Sequence, residues 1–92
     1  MLEKQVERRL VDKTREAGGL AMKWVSPGFA GAPDRIVFLP GGRIVLVEVK
    51  RPGEKPRPLQ VRLHQMLRGL GVDVRVVDTV EAVDALVREV SR

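Results

Sequence analysis

Apolar residues recur along this chain with two different periods, and the changes of period divide it into alternating helices and strands. From residue 2 to 17 the period is helical. Leu2, Val6, Leu10 and Ala17 form a stripe with Val11 beside it, while Arg8, Lys13 and Arg15 lie elsewhere. Gly18-Gly19 ends that helix. Leu20 to Val25 reads as a short strand, and Ser26 to Ala32, rich in glycine and proline, reads as a loop. Pro33 to Leu39 and Arg43 to Lys50 are two further strands joined by Pro40-Gly41-Gly42. The segment Arg51 to Pro58 holds three prolines and three basic residues, so neither helix nor strand runs through it. A second helix follows from Leu59 to Leu70, with Leu59, Leu63, Met66, Leu67 and Leu70 expected inward. Val72 to Val77 is a fourth strand. Thr79 then caps a last helix that buries Val80, Val83, Leu86, Val87 and Val90. The order α-β-β-β-α-β-α predicts one α/β domain over residues 1–92, a small mixed four-stranded sheet flanked by helices. Valine-rich strands suggest that both sheet faces are covered.

Charges interrupt the most apolar part of this pattern. Ile44-Val45-Leu46-Val47 reads as a buried strand, yet Glu48-Val49-Lys50 continues it, and Asp34 stands at the start of the preceding strand. A charge in such a run is costly unless it is paired or holds a metal. Two acids and an ammonium together suit a hard-cation site with a cationic helper. Turn geometry decides whether the acids meet. A two-residue loop, Gly41-Gly42, would oppose Asp34 to Val49 and turn the carboxylates to opposite faces. A three-residue loop, Pro40-Gly41-Gly42, pairs Leu39 with Arg43 and Asp34 with Glu48, which then share a face with Lys50. The second register is preferred, with a type I turn over Pro40 and a left-handed Gly42.

Composition narrows the chemistry. There is no cysteine and one histidine, so disulfides, thiolate chemistry and a zinc site are not expected. No apolar stretch approaches the about 20 residues of a membrane span, and the N-terminus lacks the regions of a signal peptide. A cytoplasmic protein is expected. Lysine and arginine number 17 against 12 acids, a net charge of +5 that favours an acidic partner such as nucleic acid.

Glu7 borders the apolar stripe of the first helix, and Glu3, one turn earlier, is the alternative acid from that helix. For helical glutamates in general the ordinary reading is a solvated ion pair. Gln60 and His64 lie one turn apart on the second helix. Gln60 is placed to orient Lys50 or a water molecule, and His64 is expected as a partly buried histidine satisfied by the backbone.

Pro33-Asp34, thirteen intervening residues and then Glu48-Val49-Lys50, preceded by a helix with Glu7, resemble the PD-(D/E)XK nuclease superfamily. More narrowly, Gly31-Ala32-Pro33-Asp34-Arg35, Val47 to Gly53, Gln60, His64 and Gly71 resemble the VRR-NUC family, the virus-type replication and repair nucleases. The resemblance implies a restriction-endonuclease-like fold and metal-dependent hydrolysis of DNA phosphodiesters. It implies Mg²⁺ or Mn²⁺ held by Asp34, Glu48, the Val49 carbonyl and Glu7, with Lys50 and Gln60 completing the catalytic set. Arg35, Arg51, Lys55 and Arg57 would contact phosphates. It further implies a homodimer acting on branched DNA such as four-way (Holliday) junctions, in repair, in a bacterium or phage. The competing readings are a nuclease of flaps, ends or single strands, and a non-catalytic basic nucleic-acid-binding protein whose acids pair with Lys50.

Overall fold

A computed structural model describes residues 2–91. The elements are α1 (Glu3–Glu16), β1 (Leu20–Lys23), β2 (Arg35–Leu39), β3 (Arg43–Val49), α2 (Pro58–Gly69), β4 (Val74–Val77) and α3 (Val80–Val90). Their order is the expected one, although β1, β2 and β4 are each two residues shorter than the apolar pattern suggests. Thr79 caps α3 as anticipated, its hydroxyl accepting from the Ala82 amide.

The strands form one mixed sheet in the order β1-β2-β3-β4. The first two pairings are antiparallel and β3–β4 is parallel. A parallel pair needs a crossover, and α2 supplies it. In the β2–β3 hairpin Leu39 pairs with Arg43 and Arg35 with Val47, so the loop has three residues and Asp34 comes opposite Glu48. Gly42 has the expected positive φ of 79°, but Gly41 has one too, at 87°. Pro40 and Gly41 therefore suit the centre of a type II turn rather than type I, since type II demands a left-handed third residue.

Register sorts the side chains. Leu20, Phe38 and Ile44 share one face with Met22, Ile36 and Leu46, and by extension with Asp34, Glu48 and Lys50. Ala21, Arg35, Val37, Leu39, Val45, Val47, Val49 and Val77 point to the other. That second face is the core, closed by Val6 and Leu10 of α1 and by Val83, Leu86, Val87 and Val90 of α3. Arg9 fastens the two helices to each other through a two-pronged contact with Asp84, at 2.9 and 2.8 Å. Leu2 precedes α1 and is exposed rather than part of the stripe, whereas Thr14 within the helix is buried.

The first face belongs to α2, and here the expected packing holds only in part: Leu63 and Leu67 are half-buried, but the other three are not. Leu59, Met66 and Leu70 are 61%, 56% and 81% exposed, and the buried residues of the helix are Gln60 and His64. The cause is the sheet beneath. A buried carboxylate left without partners costs more than a few exposed leucines, so the helix turns its polar edge to Glu48. Beyond α2 this face is open. Leu20, Met22, Phe38 and Ile44 are all exposed, so helices cover the core face fully and this one only in part.

The hairpin makes a testable claim. Gly42 meets no neighbouring atom where a Cβ would stand, so only its backbone conformation restricts it. Gly42→Val is expected to destabilise the protein by about 1–3 kcal/mol in urea unfolding, the cost of a left-handed branched residue. It should also weaken protection of the Val49 amide, which depends on the register. Wild-type stability in that variant would contradict the turn as described.

Candidate active site

The chain enters the site through a loop that must pass close to α2. Gly31 has φ 87°, and a Cβ there would stand 2.9 Å from the Leu59 carbonyl oxygen and 3.0 Å from the Gln60 nitrogen. Glycine lets the loop seat itself against the first turn of α2 and deliver Asp34 to the end of β3. There the Asp34 Oδ2 accepts a hydrogen bond from the Val49 amide at 2.8 Å, which locks the carboxylate across the strand end.

Glu48 is almost fully buried at the centre of the cluster. Its Oε2 accepts from the Gln60 side-chain amide at 2.9 Å and lies 3.4 Å from Lys50 Nζ. Gln60 is held at its other end, its Oε1 accepting from the Arg57 amide at 2.8 Å. These two bonds fix which way the amide points. They also tie the proline-rich segment to the buried acid, because Pro58 opens α2 and Arg57 is the residue before it. The direct partner of Gln60 is thus Glu48, whereas the sequence suggested Lys50 or a water molecule.

One lysine does not balance two acids in a buried setting. Burial first, and then the neighbouring Asp34 charge, push the Glu48 carboxyl up to about 7, with Lys50 opposing both. His64 lies on the far side, its Nε2 3.8 Å from Glu48 Oε1. Burial first, and then Arg68 and Lys50, hold the imidazole below the usual histidine range, so it faces Glu48 as a neutral ring rather than an ion-pair partner. Among the described residues its Nε2 has no hydrogen-bond partner, backbone or otherwise, because the α2 face that carries the ring looks onto Glu48.

The cluster opens into a cleft of about 320 Å³ lined by Glu3, Asp34, Glu48, Val49, Lys50, Glu54, Lys55, Arg57 and Gln60. Asp34, Glu48, Lys50, Gln60 and the Val49 backbone are therefore brought together as the pattern suggested. Lys55 and Arg57 stand on the rim, and Arg51 is exposed nearby with Glu54 at 3.4 Å. Glu7 and Arg35 are not in this cleft. Arg35 is an odd position on β2, so it points to the core face, where it donates to Glu7 Oε2 at 2.9 Å and to the Ala21 carbonyl at 3.0 Å. Its guanidinium is thereby committed within the fold rather than offered to a phosphate. Glu7 is drawn under the sheet by the same pair and lines a separate pocket with Lys4, Arg8 and Arg15. The helix acid that reaches the cleft is Glu3.

Among the described residues no three acidic or histidine side chains converge tightly enough to hold a metal unaided. That donor set still fits a hard cation of the magnesium kind, which takes one or two carboxylates and keeps water and substrate oxygens for the remaining positions. Burial and the neighbouring Asp34 charge, which raise the Glu48 pKa, are both penalties on the carboxylate that a bound cation would relieve.

A four-stranded mixed sheet with an acidic hairpin, a lysine two residues on, and a helix that braces the second acid defines a nuclease domain of the PD-(D/E)XK superfamily. Within it, the chain belongs to the VRR-NUC family, whose domain matches residues 2–81. It is similar to "Putative nuclease p44" of Acyrthosiphon pisum secondary endosymbiont phage 1, 52% identical over 77 residues, covering 84% of this chain and 83% of that one. It is also similar to a solved VRR-NUC domain, with a TM-score of 0.89 and 37% identity over 96% of this chain and 97% of the other. The protein is a nuclease with the α/β fold anticipated.

The shifted Glu48 predicts how stability depends on pH. Its folded value, about 7, lies above its ordinary value of 4.5. The folded protein therefore holds a proton that the unfolded chain has lost, and the stability from that proton disappears as pH rises from 4.5 through 7. Glu48→Gln removes the charge. Without divalent metal it is expected to raise the melting temperature relative to wild type at pH 8, and the difference should vanish near pH 4. A difference independent of pH would contradict the assignment.

Proposed function

We propose that this nuclease is a divalent-metal-dependent, structure-specific DNA endonuclease of branched substrates such as four-way junctions. The observation that supports metal dependence most strongly is the Asp34–Glu48 pair in one cleft with a single buried lysine, on a rim made basic by Lys55 and Arg57. A phosphate could not approach two uncompensated carboxylates at close range. In this reading Asp34, Glu48 and the Val49 carbonyl hold Mg²⁺ or Mn²⁺, with Glu3 rather than Glu7 as the helix acid beside them. The bound ion supplies Lewis-acid polarisation of the scissile phosphate and a lowered pKa for the attacking water. Lys50, steadied by Glu48, positions that water and offsets negative charge developing on the phosphorus centre. Gln60 keeps Glu48 in place. Arg51, Lys55 and Arg57 grip backbone phosphates, which sets register without reading sequence.

The experiment is cleavage of labelled four-way junction, flap and linear duplex, each with Mg²⁺ or EDTA. Junction cleavage in Mg²⁺ alone is expected. Asp34→Ala should abolish it while leaving junction binding intact, since a ligand is lost and no phosphate contact is. Lys50→Ala should lower the single-turnover rate by about 10²–10³-fold, as loss of a charge-stabilising donor does. Preferential cutting of flaps or linear ends would move the substrate assignment to those structures. Cleavage unaffected by EDTA would end the metal reading.

Resolving a junction takes two nicks, and the open sheet face bears on this. Leu20, Phe38 and Ile44 are neighbours across three strands, with Met22 alongside and all four exposed. An apolar patch of this kind marks an interface. We infer that it meets a second copy of the chain, which would provide the second active site. Light scattering in solution is expected to give a dimer, and Phe38→Glu a monomer. A wild-type monomer bound to junction would remove the second-copy assignment. The reading also includes a cytoplasmic setting in a bacterium or phage and a part in DNA repair. None of the described helices is long and apolar enough to cross a membrane.

A further inference from the structure

Two buried polar atoms in this protein lack a hydrogen-bond partner and face each other. Glu48 Oε1 and His64 Nε2 are sealed from solvent, unbonded, and 3.8 Å apart. The Gln60 amide donates to the other oxygen, Oε2, and Lys50 Nζ stands close to that same atom. His64 follows Gln60 by one helical turn, so the two side chains lie one above the other on α2 and reach the two oxygens of the same acid. We propose that His64 is a positioning residue: its neutral ring carries the proton on Nε2 and donates it to Glu48 Oε1, fixing the rotation of the carboxylate so that Oε2 is presented at the cleft. The role assigned to Glu48 rests on the proposed metal site, but the contact itself does not.

Hydrogen-bonding logic requires that tautomer. An Nε2 lone pair beside a carboxylate oxygen would set two acceptors against each other in a water-free space, and both would stay unsatisfied. A proton on Nε2 satisfies both at once, after a closure of about 1 Å to ordinary N–H···O length. The consequence for function is orientational. A carboxylate gripped only at Oε2 can swing about that point, whereas one gripped at both oxygens cannot. Hydrogen-bonding partners of metal-holding acids typically change metal affinity by about 10–100-fold when removed.

The test combines variants with a measurement on the wild type. His64→Leu keeps apolar bulk and removes the donor, and His64→Gln keeps an N–H at a similar reach. Calorimetric titration of the DNA-free proteins with Mn²⁺ is expected to show binding weakened about 10–100-fold in His64→Leu and restored to within a few-fold of wild type in His64→Gln. Equal affinities in wild type and His64→Leu, or equal losses in both variants, would reduce His64 to a packing residue and leave the metal site standing. Failure of the wild type itself to bind Mn²⁺ would overturn the metal reading, and with it the role of His64 towards that metal. Nitrogen NMR of the wild-type ring reads the contact without any substitution. The Nε2–H tautomer is expected in the metal-free protein, and an Nδ1–H tautomer would overturn the proposal even if His64→Leu fails to fold.

Discussion

A carboxylate buried inside an apolar sheet governs this small protein. Glu48 is among its least accessible side chains, and the chain around it is arranged to make that position tolerable. The three-residue turn sets the register that puts Asp34 opposite. Lys50 stands two residues on. α2 gives up the leucine face its pattern favours and lays Gln60 and His64 against the acid, leaving Leu59 and Leu70 in solvent. A fold maximising buried apolar surface would not make these choices. They follow once the acid is fixed, because removing water from a charge costs more than the transfer of a leucine returns.

The alternation of a β-strand explains why neighbouring residues in one motif have different fates. Asp34 and Arg35 are adjacent in sequence, yet the first faces the cleft and the second crosses beneath the sheet to Glu7. The Arg35–Glu7 pair is mostly shielded and also bonds the Ala21 carbonyl, so it pins α1 to β1 and β2. One turn of helix back, Glu3 lines the cleft. The pair of Glu3 and Glu7 thus divides into a cleft residue and a structural anchor, the latter fixed by the core-facing position of Arg35 on β2.

Much of this was legible in the sequence. Periodicity gave the element order, and turn length gave the hairpin register, because the condition that two buried acids share a face admitted only one loop. Legibility failed where a choice depended on packing between elements. Hydrophobic spacing predicts that the leucines of α2 point inward, and it has no means of knowing that the surface beneath holds a carboxylate. The same blindness hid the partner of His64: a partly buried ring was expected, but that it faces Glu48 was signalled only by its place four residues after Gln60 on a helix following the acidic strand. Glu3 and Glu7 both fitted the first-helix pattern, and only the position of α1 over the core face separated them.

The acid that shapes the fold also leaves it under-stabilised. Burial, and then the charge of Asp34, push Glu48 to about 7 against the pull of a single lysine, so at neutral pH part of the population carries a proton there and part carries a buried charge that Lys50 only partly offsets. A ligand that binds only the folded, deprotonated site would relieve this by mass action, stabilising the protein as it prepares the site for substrate. The basic rim adds the complementary half. In the proposed reading Lys55 and Arg57 would attract a phosphate backbone from a distance, while the acidic floor would repel it until positive charge stands between them. Separating the two signs by depth would then make productive docking conditional on a filled cation position.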